Sequence, residues 1–196
     1  MMEQRHHRLN DKGYSLVEMI ICIAIIAIMT GVAVVTVSLI NSAKAREASV
    51  TFTSELSDMY TKSKNQMVVI SDVKYPKYNH CLYLHSDGTR TYIKKGYYNP
   101  AGTDEATKYI YTGVDTPNSG KGVSITSSVT IKYKDSAGVE KSITGTDSGT
   151  SLKGVYIIYD RNGRCIEGSG LYTFCKDEDV VIAEVGLKKN GSYQSN

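Results

Sequence analysis

Residues 19–40 read MIICIAIIAIMTGVAVVTVSLI, 22 residues without a charge. About 20 consecutive apolar residues span the hydrocarbon core of a bilayer as a helix. The first thirteen residues, MMEQRHHRLNDKG, are polar and carry Arg5, Arg8 and Lys12. The positive-inside tendency keeps that end in the cytoplasm and places the remainder of the chain outside. A conventional secretory signal has a shorter apolar run, about 7–15 residues, closed by a small-residue cleavage site. This run is longer and has no A-x-A exit. The first expectation is a membrane anchor.

Glu18 complicates a plain anchor. It stands between Val17 and Met19, at the edge of the apolar run. A carboxylate facing lipid costs on the order of 2–4 kcal/mol there. The stretch Lys12-Gly13-Tyr14-Ser15-Leu16-Val17-Glu18, followed by a long apolar helix, resembles the processing site of type IV prepilins. The resemblance rests on the combination of polar leader, Gly, aromatic first residue, Glu at the fifth mature position and apolar run. It implies cleavage after Gly13, N-methylation of the new amine on Tyr14, and retention of the apolar segment as the mature N-terminus. The first mature residue is usually Phe in that family; here it is Tyr14. Cleavage would leave a cationic amine on Tyr14 one helical turn from the anionic Glu18. In a bundle, the Glu18 of one subunit could meet the amine of a neighbour. A buried unpaired charge is costly, so such a pair would set the axial register. The assembly role of Glu18 is carried over by resemblance.

The helical pattern continues beyond the membrane. Residues 41–70 contain neither Pro nor Gly. Apolar positions recur at Ala45, Ala48, Phe52, Leu56, Met59, Met67 and Ile70, with Ser63 the one gap. Spacings of three and four residues put them on one helical face. A continuous helix from Tyr14 to Ile70 would be about 85 Å long at about 1.5 Å per residue. The expected organisation is a leader at 1–13, a spine helix at 14–72 with its membrane part at about 19–40, and an extracytoplasmic head at 73–196.

The head changes in texture. Short runs rich in Tyr, Val, Ile and Thr are predicted as strands at 81–85, 91–94, 109–112, 123–133, 139–143, 155–159 and 180–185. Asp87-Gly88, Asn99-Pro100, Ala137-Gly138 and Asn162-Gly163 read as turns between them. Segments 119–122 and 149–154 read as loops. The predicted fold is α+β: a long N-terminal helix whose amphipathic half packs on an antiparallel β-sheet head. GVYIIYDRNGRC at 154–165, GLYTF at 170–174 and DVVIAEVGLKKNGSY at 179–193 are similar to the tail of H-type minor pseudopilins and FimT-like minor pilins. That similarity tilts the expectation toward a minor subunit.

Composition excludes several classes. The 196 residues carry 23 Lys plus Arg against 20 Asp plus Glu, a net charge of +3. That charge is too mild for binding nucleic acid by bulk electrostatics. Tyr numbers 15 against two Phe and no Trp, which suits half-buried strand faces. The 41% of apolar residues is enough for a small core and excludes wholesale disorder. Lysines 94, 95, 132, 134, 141, 188 and 189, interleaved with Tyr, could in principle engage single-stranded DNA. The net charge favours a solvated surface instead.

Candidate chemistry in the head is sparse. Cys22 lies in the apolar helix, whereas Cys81, Cys165 and Cys175 would lie outside the membrane. Cys165 and Cys175 flank a Gly-Ser-Gly turn and are the candidate disulfide, with Cys81 an alternative partner for either and three free thiols the competing reading. His80, Cys81 and His85 lack a second ligand pair at zinc-like spacing. Asp177-Glu178-Asp179 reads as a solvated acidic loop, and Asp160-Arg161-Asn162-Gly163 as a hairpin turn without the later Glu of a calcium loop. No nucleophile elbow, phosphate loop or HExxH occurs, so neither an enzyme nor a cofactor is expected. The resemblance implies a prepilin peptidase, other pilin or pseudopilin subunits, an inner-membrane assembly platform and membrane lipid as partners. Adhesion, motility, secretion and DNA uptake share this N-terminal signature. The alternative from another class is a signal-anchored extracellular binding domain that does not polymerise.

Overall fold

A computed structural model describes residues 15–111, 122–126, 129–176 and 179–196, with the backbone alone at Val34 and Thr126. The leader, Gly13 and Tyr14 lie outside the described residues. So do Thr112 at the end of one expected strand, residues 119–121 of an expected loop, and Asp177 and Glu178. The chain divides into two units, 1–39 and 40–196.

One helix, α1 (Leu16–Asn65), runs through the apolar and amphipathic segments. Its composition is compatible with its length, for Gly31 is its one glycine and Pro is absent. In the first unit, the large apolar side chains described between Leu16 and Leu39 are half or more exposed, Ile28 at 70% and Leu39 at 65%. In the second unit the same helix becomes one-sided. Ala45, Ala48, Phe52, Leu56 and Met59 are buried, as the three-and-four spacing predicts. Ser63, the gap in the stripe, is also buried, and its hydroxyl donates to the Tyr60 carbonyl at 2.7 Å.

The helix stops five residues before the expected end at Ile70. Val68, Val69 and Ile70 form instead β1 (Val68–Ile70), which pairs with β2 (Val73–Tyr75) in a separate two-stranded hairpin. Three consecutive β-branched residues favour strand over helix. The reversal is a two-residue turn at Ser71 and Asp72, both with positive φ (48° and 65°). The burial stripe changes accordingly. Val68 is buried, while Met67 is 42% exposed.

The head then lays down two six-stranded sheets. In order along the chain come β3 (Asn79–Ser86), β4 (Thr91–Tyr98), the short α2 (Glu105–Lys108), β5 (Tyr109–Tyr111), β6 (Val123–Thr126), β7 (Val129–Asp135) and β8 (Glu140–Ile143). They are followed by β9 (Ser151–Leu152), β10 (Gly154–Tyr159), β11 (Cys165–Glu167), β12 (Gly170–Lys176), β13 (Val180–Leu187) and β14 (Tyr193–Ser195). The first sheet has the order β11-β10-β3-β4-β5, with β6 also on β4; the second runs β14-β13-β12-β7-β8-β9. All pairings are antiparallel except β8 with β9. The expected single strand at 123–133 is therefore two strands in different sheets, with residues 127–128 outside the described residues.

A single core joins helix and sheets. Leu82, Leu84, Ile93 and Ile157 come from the first sheet, and Ile131, Ile143, Tyr172, Phe174 and Val185 from the second. Phe52 of α1 lies at their meeting point, with its ring centroid 4.8 Å from that of Tyr172 and 5.7 Å from that of Phe174. Further along the helix, Tyr60 meets Tyr159 of β10 edge-on. A half-buried ion pair adds a polar tie. Lys95 on β4 reaches Glu55 at 2.5 Å and Asp58 at 3.2 Å, and Asp58 also holds Lys62 at 2.8 Å.

Candidate processing and assembly site

The described N-terminus begins with a reciprocal cap. The Ser15 N–H donates to Glu18 Oε2 at 2.9 Å, and the Glu18 N–H donates to Ser15 Oγ at 3.2 Å. This is the Ser-x-x-Glu capping box, in which an N-cap side chain and the third helical residue satisfy each other's orphan donors. Glu18 also lies in the first turn, where the helix dipole favours an anion. Ser15 had no role in the sequence reading. Its signal, Ser followed by Glu three residues later before an apolar run, was present in the sequence. Gly13 and Tyr14, on which the expected cleavage and methylation fall, precede the described residues.

The helix that follows is long and apolar enough to cross a membrane, by length and composition. Its most apolar window is not buried inside the protein. Two hydroxyls in this stretch are turned back onto the helix. Thr30 donates to the Ile26 carbonyl at 2.7 Å and Thr36 to the Val32 carbonyl at 2.9 Å, which removes the cost of bare hydroxyls in an apolar setting.

The structure does not bring Cys165 and Cys175 together. All four cysteines are free thiols. Cys165 belongs to the core and donates its thiol to the Glu167 carbonyl. Cys175 lies in the other sheet, beside a β-bulge between Phe174 and its neighbour on β12. The Gly-Ser-Gly segment is thus a passage from β11 to β12, which belong to different sheets, and not a hairpin that would face two thiols. Cys81 is buried on β3 opposite Ile158 and Gly96. Burial pushes the Cys81 and Cys165 thiols up to about 12 and raises that of Cys175.

Cys81 sits beneath an aromatic cover. Tyr109 of β5 stacks on Tyr156 of β10 at 3.7 Å, Tyr156 on Tyr83 at 4.2 Å, and Tyr83 on His85 at 4.9 Å. Strands β5 and β10 are separated by two strands in the sheet, so β5 folds over its outer face. Gly96 permits this, because a Cβ there would collide with the Ile110 carbonyl. The Tyr156 hydroxyl donates to Glu105 Oε1 at 2.9 Å and lies 2.9 Å from that of Tyr111. Burial drives the Tyr156 hydroxyl far above its ordinary range. This cluster is a half-buried aromatic layer on the outer face of the first sheet, in which the rings stack while the Tyr111 and Tyr156 hydroxyls bond to each other.

The remaining candidate groups are dispersed. His80 points toward the helix end, with Nε2 3.3 Å from the Gln66 carbonyl, while Cys81 and His85 take the opposite face. Among the described residues no group of three or more His, Cys, Asp or Glu could hold a metal. Asp160 Oδ1 accepts the N–H groups of Asn162 and Arg164, so that segment is a closed turn. The lysines do not share one face either. Lys95 is tied to the helix, Lys132 pairs with Asp179 at 3.1 Å, and Lys94 lies over the Tyr111 ring.

A family model described as the prokaryotic N-terminal methylation motif matches residues 8–34. It covers the end of the polar leader, the capping box and the first part of the apolar helix. No curated protein and no solved structure matches the chain. The segment is a type IV prepilin-like class III signal. The match fits a type IV pilin-like prepilin whose helix is long and apolar enough to cross a membrane, and the motif implies processing by a peptidase and assembly with other pilin subunits.

Proposed function

We propose that this chain is a minor pilin or pseudopilin, a structural subunit without catalytic activity. A prepilin peptidase cleaves it between Gly13 and Tyr14, and the new amine on Tyr14 is methylated. The mature helix is then drawn from the membrane, through an inner-membrane platform, into a type IV pilus, secretion pseudopilus or competence pilus. The observation that carries this reading is the methylation motif at 8–34, continuous with a helix whose apolar side chains lie exposed. Such a surface needs lipid or neighbouring helices around it. Glu18, held at the first turn by Ser15, is the group we assign to register between subunits. The head at 73–196, with its two sheets, faces outward and meets partners.

Intact mass and N-terminal sequencing of the membrane-extracted protein, with and without a prepilin peptidase, test the reading. The expected product starts at methylated Tyr14. A chain that keeps Met1, or that loses the whole apolar segment, would sink it and leave an anchored or secreted binding domain. Glu18→Ala should be processed yet fail to enter filaments; normal assembly of that variant would refute the register role.

A further inference from the structure

The outer face of the second sheet carries a recess of unusual lining. Along β7, β8 and β9 the side chains alternate. Ile131, Ile143 and Leu152 turn to the core, and Thr130, Lys132, Ser142 and Ser151 turn away from it. The register sets Lys132 opposite Ser142, and Ser142 opposite Ser151. With Thr144, Thr150 and Asp179, all three exposed, they border an open cleft of about 460 Å³. That volume falls within the range of small-molecule sites, about 300–1,000 Å³.

Five of the seven lining residues are hydroxyl-bearing, and their hydrogen-bonding capacity is largely unspent. Among the described residues, the side chains of Thr130, Ser142 and Thr150 have no protein hydrogen-bond partner. Ser151 shares its hydroxyl with Ser148 at 2.6 Å, and Thr144 with Thr146 at 3.4 Å. The one cation, Lys132, is matched by the one carboxylate, Asp179. The lining therefore offers groups that both donate and accept, with no net charge. A phosphate or nucleic acid would find no unmatched cation, and an apolar peptide would find no exposed aliphatic or aromatic wall. An ordinary solvated strand face carries long charged side chains, as Lys134 does one step along β7. Here short side chains cut a recess instead.

We propose that this cleft binds a neutral saccharide, whose hydroxyls alternate as donors and acceptors in the same way as the lining. Because no aromatic ring floors the cleft, the expected dissociation constant is about millimolar.

The test uses the full chain in detergent micelles and saturation-transfer NMR with three neutral probes, maltohexaose, cellohexaose and chitohexaose, and heparin as the charged control. At least one neutral probe should bind, with an affinity unchanged between low and high salt. The double variant Thr130→Val, Ser142→Ala should weaken it about tenfold, since two neutral hydrogen bonds are removed. Its melting temperature serves as the folding control. Asp179→Asn provides an independent arm, because it leaves Lys132 unmatched and should create salt-sensitive heparin binding. Failure of every neutral probe, binding of heparin alone to the parent chain, or undiminished binding by a folded double variant would each overturn the assignment.

Discussion

Ser15 and Glu18 hold each other through two hydrogen bonds at the first turn of α1. Removing the cap by Ser15→Ala should cost about 1 kcal/mol locally, the usual loss for a Ser N-cap. Amide hydrogen exchange over residues 16–18 in micelles should accelerate about fivefold while the head is unaffected; unchanged exchange would mean that the cap does not hold this turn. Ser71 and Asp72 raise a different residue-scale issue. Both adopt positive φ to turn β1 into β2. The two-residue turn with this backbone favours Asn-Gly, since side chains other than Gly are strained there. Asp72→Gly should stabilise the protein by about 0.5–1 kcal/mol, a rise of roughly 2–3 °C in melting temperature. A fall in melting temperature would show that the Asp72 side chain contributes more than the strain costs.

At the scale of elements, the tie between α1 and the first sheet is the half-buried cluster of Lys95, Glu55 and Asp58. The lysines beside Asp58 hold its carboxyl below the usual range, and the two carboxylates hold Lys95 above its own. Lys95→Met would leave Glu55 in a partly dry site without its cation. The expected loss is about 1–2 kcal/mol, above the value for an exposed pair but below that for a fully buried one. The pair Glu55→Gln, Lys95→Met should lose less than the sum of the single changes in chemical denaturation. Additive losses would show that the two groups do not interact. The helix end teaches a related lesson. The sequence stripe ran on to Ile70, and Met67 and Ile70 fitted its spacing. A local hairpin captures Val68–Ile70 because its two-residue turn, Ser71-Asp72, follows at once.

For the whole molecule, acid stability and thiol reactivity follow from what the core encloses. His80 is buried near Lys62, and burial, the larger cause, holds its imidazole below the ordinary 6.5. A folded value below the unfolded one means that the unfolded chain binds more protons. Stability is therefore present above about 6.5 and lost as pH falls below it. Melting temperature should decline between pH 7 and 5, and His80→Gln should flatten that decline; an equal slope in the variant would assign it to other groups. Cys81, Cys165 and Cys175 are buried and protonated at neutral pH. A thiol reagent should modify them only after unfolding, as intact mass with and without guanidinium would report. Rapid labelling of any of the three in the folded protein would contradict their placement.

The sequence by itself determined the membrane-length helix, the prepilin-like signal and the buried stripe from Ala45 to Met59. These are local patterns: a run of apolar residues, a motif of seven positions and a period of 3.6 carry their meaning without distant partners. The cap at Ser15 is equally local, a Ser followed three residues later by Glu18. Most strand locations were also visible in their Tyr-, Val- and Ile-rich texture. Only the tertiary structure decided which strands share a sheet, because pairing is a contact between residues far apart in sequence. It split the run at 123–133 between two sheets and placed Cys165 and Cys175 in separate ones. It also folded β5 over Cys81 and gathered hydroxyls from three strands around one cleft. No spacing within the chain encodes those meetings; they follow from burying two sheets and one helix face around a single core.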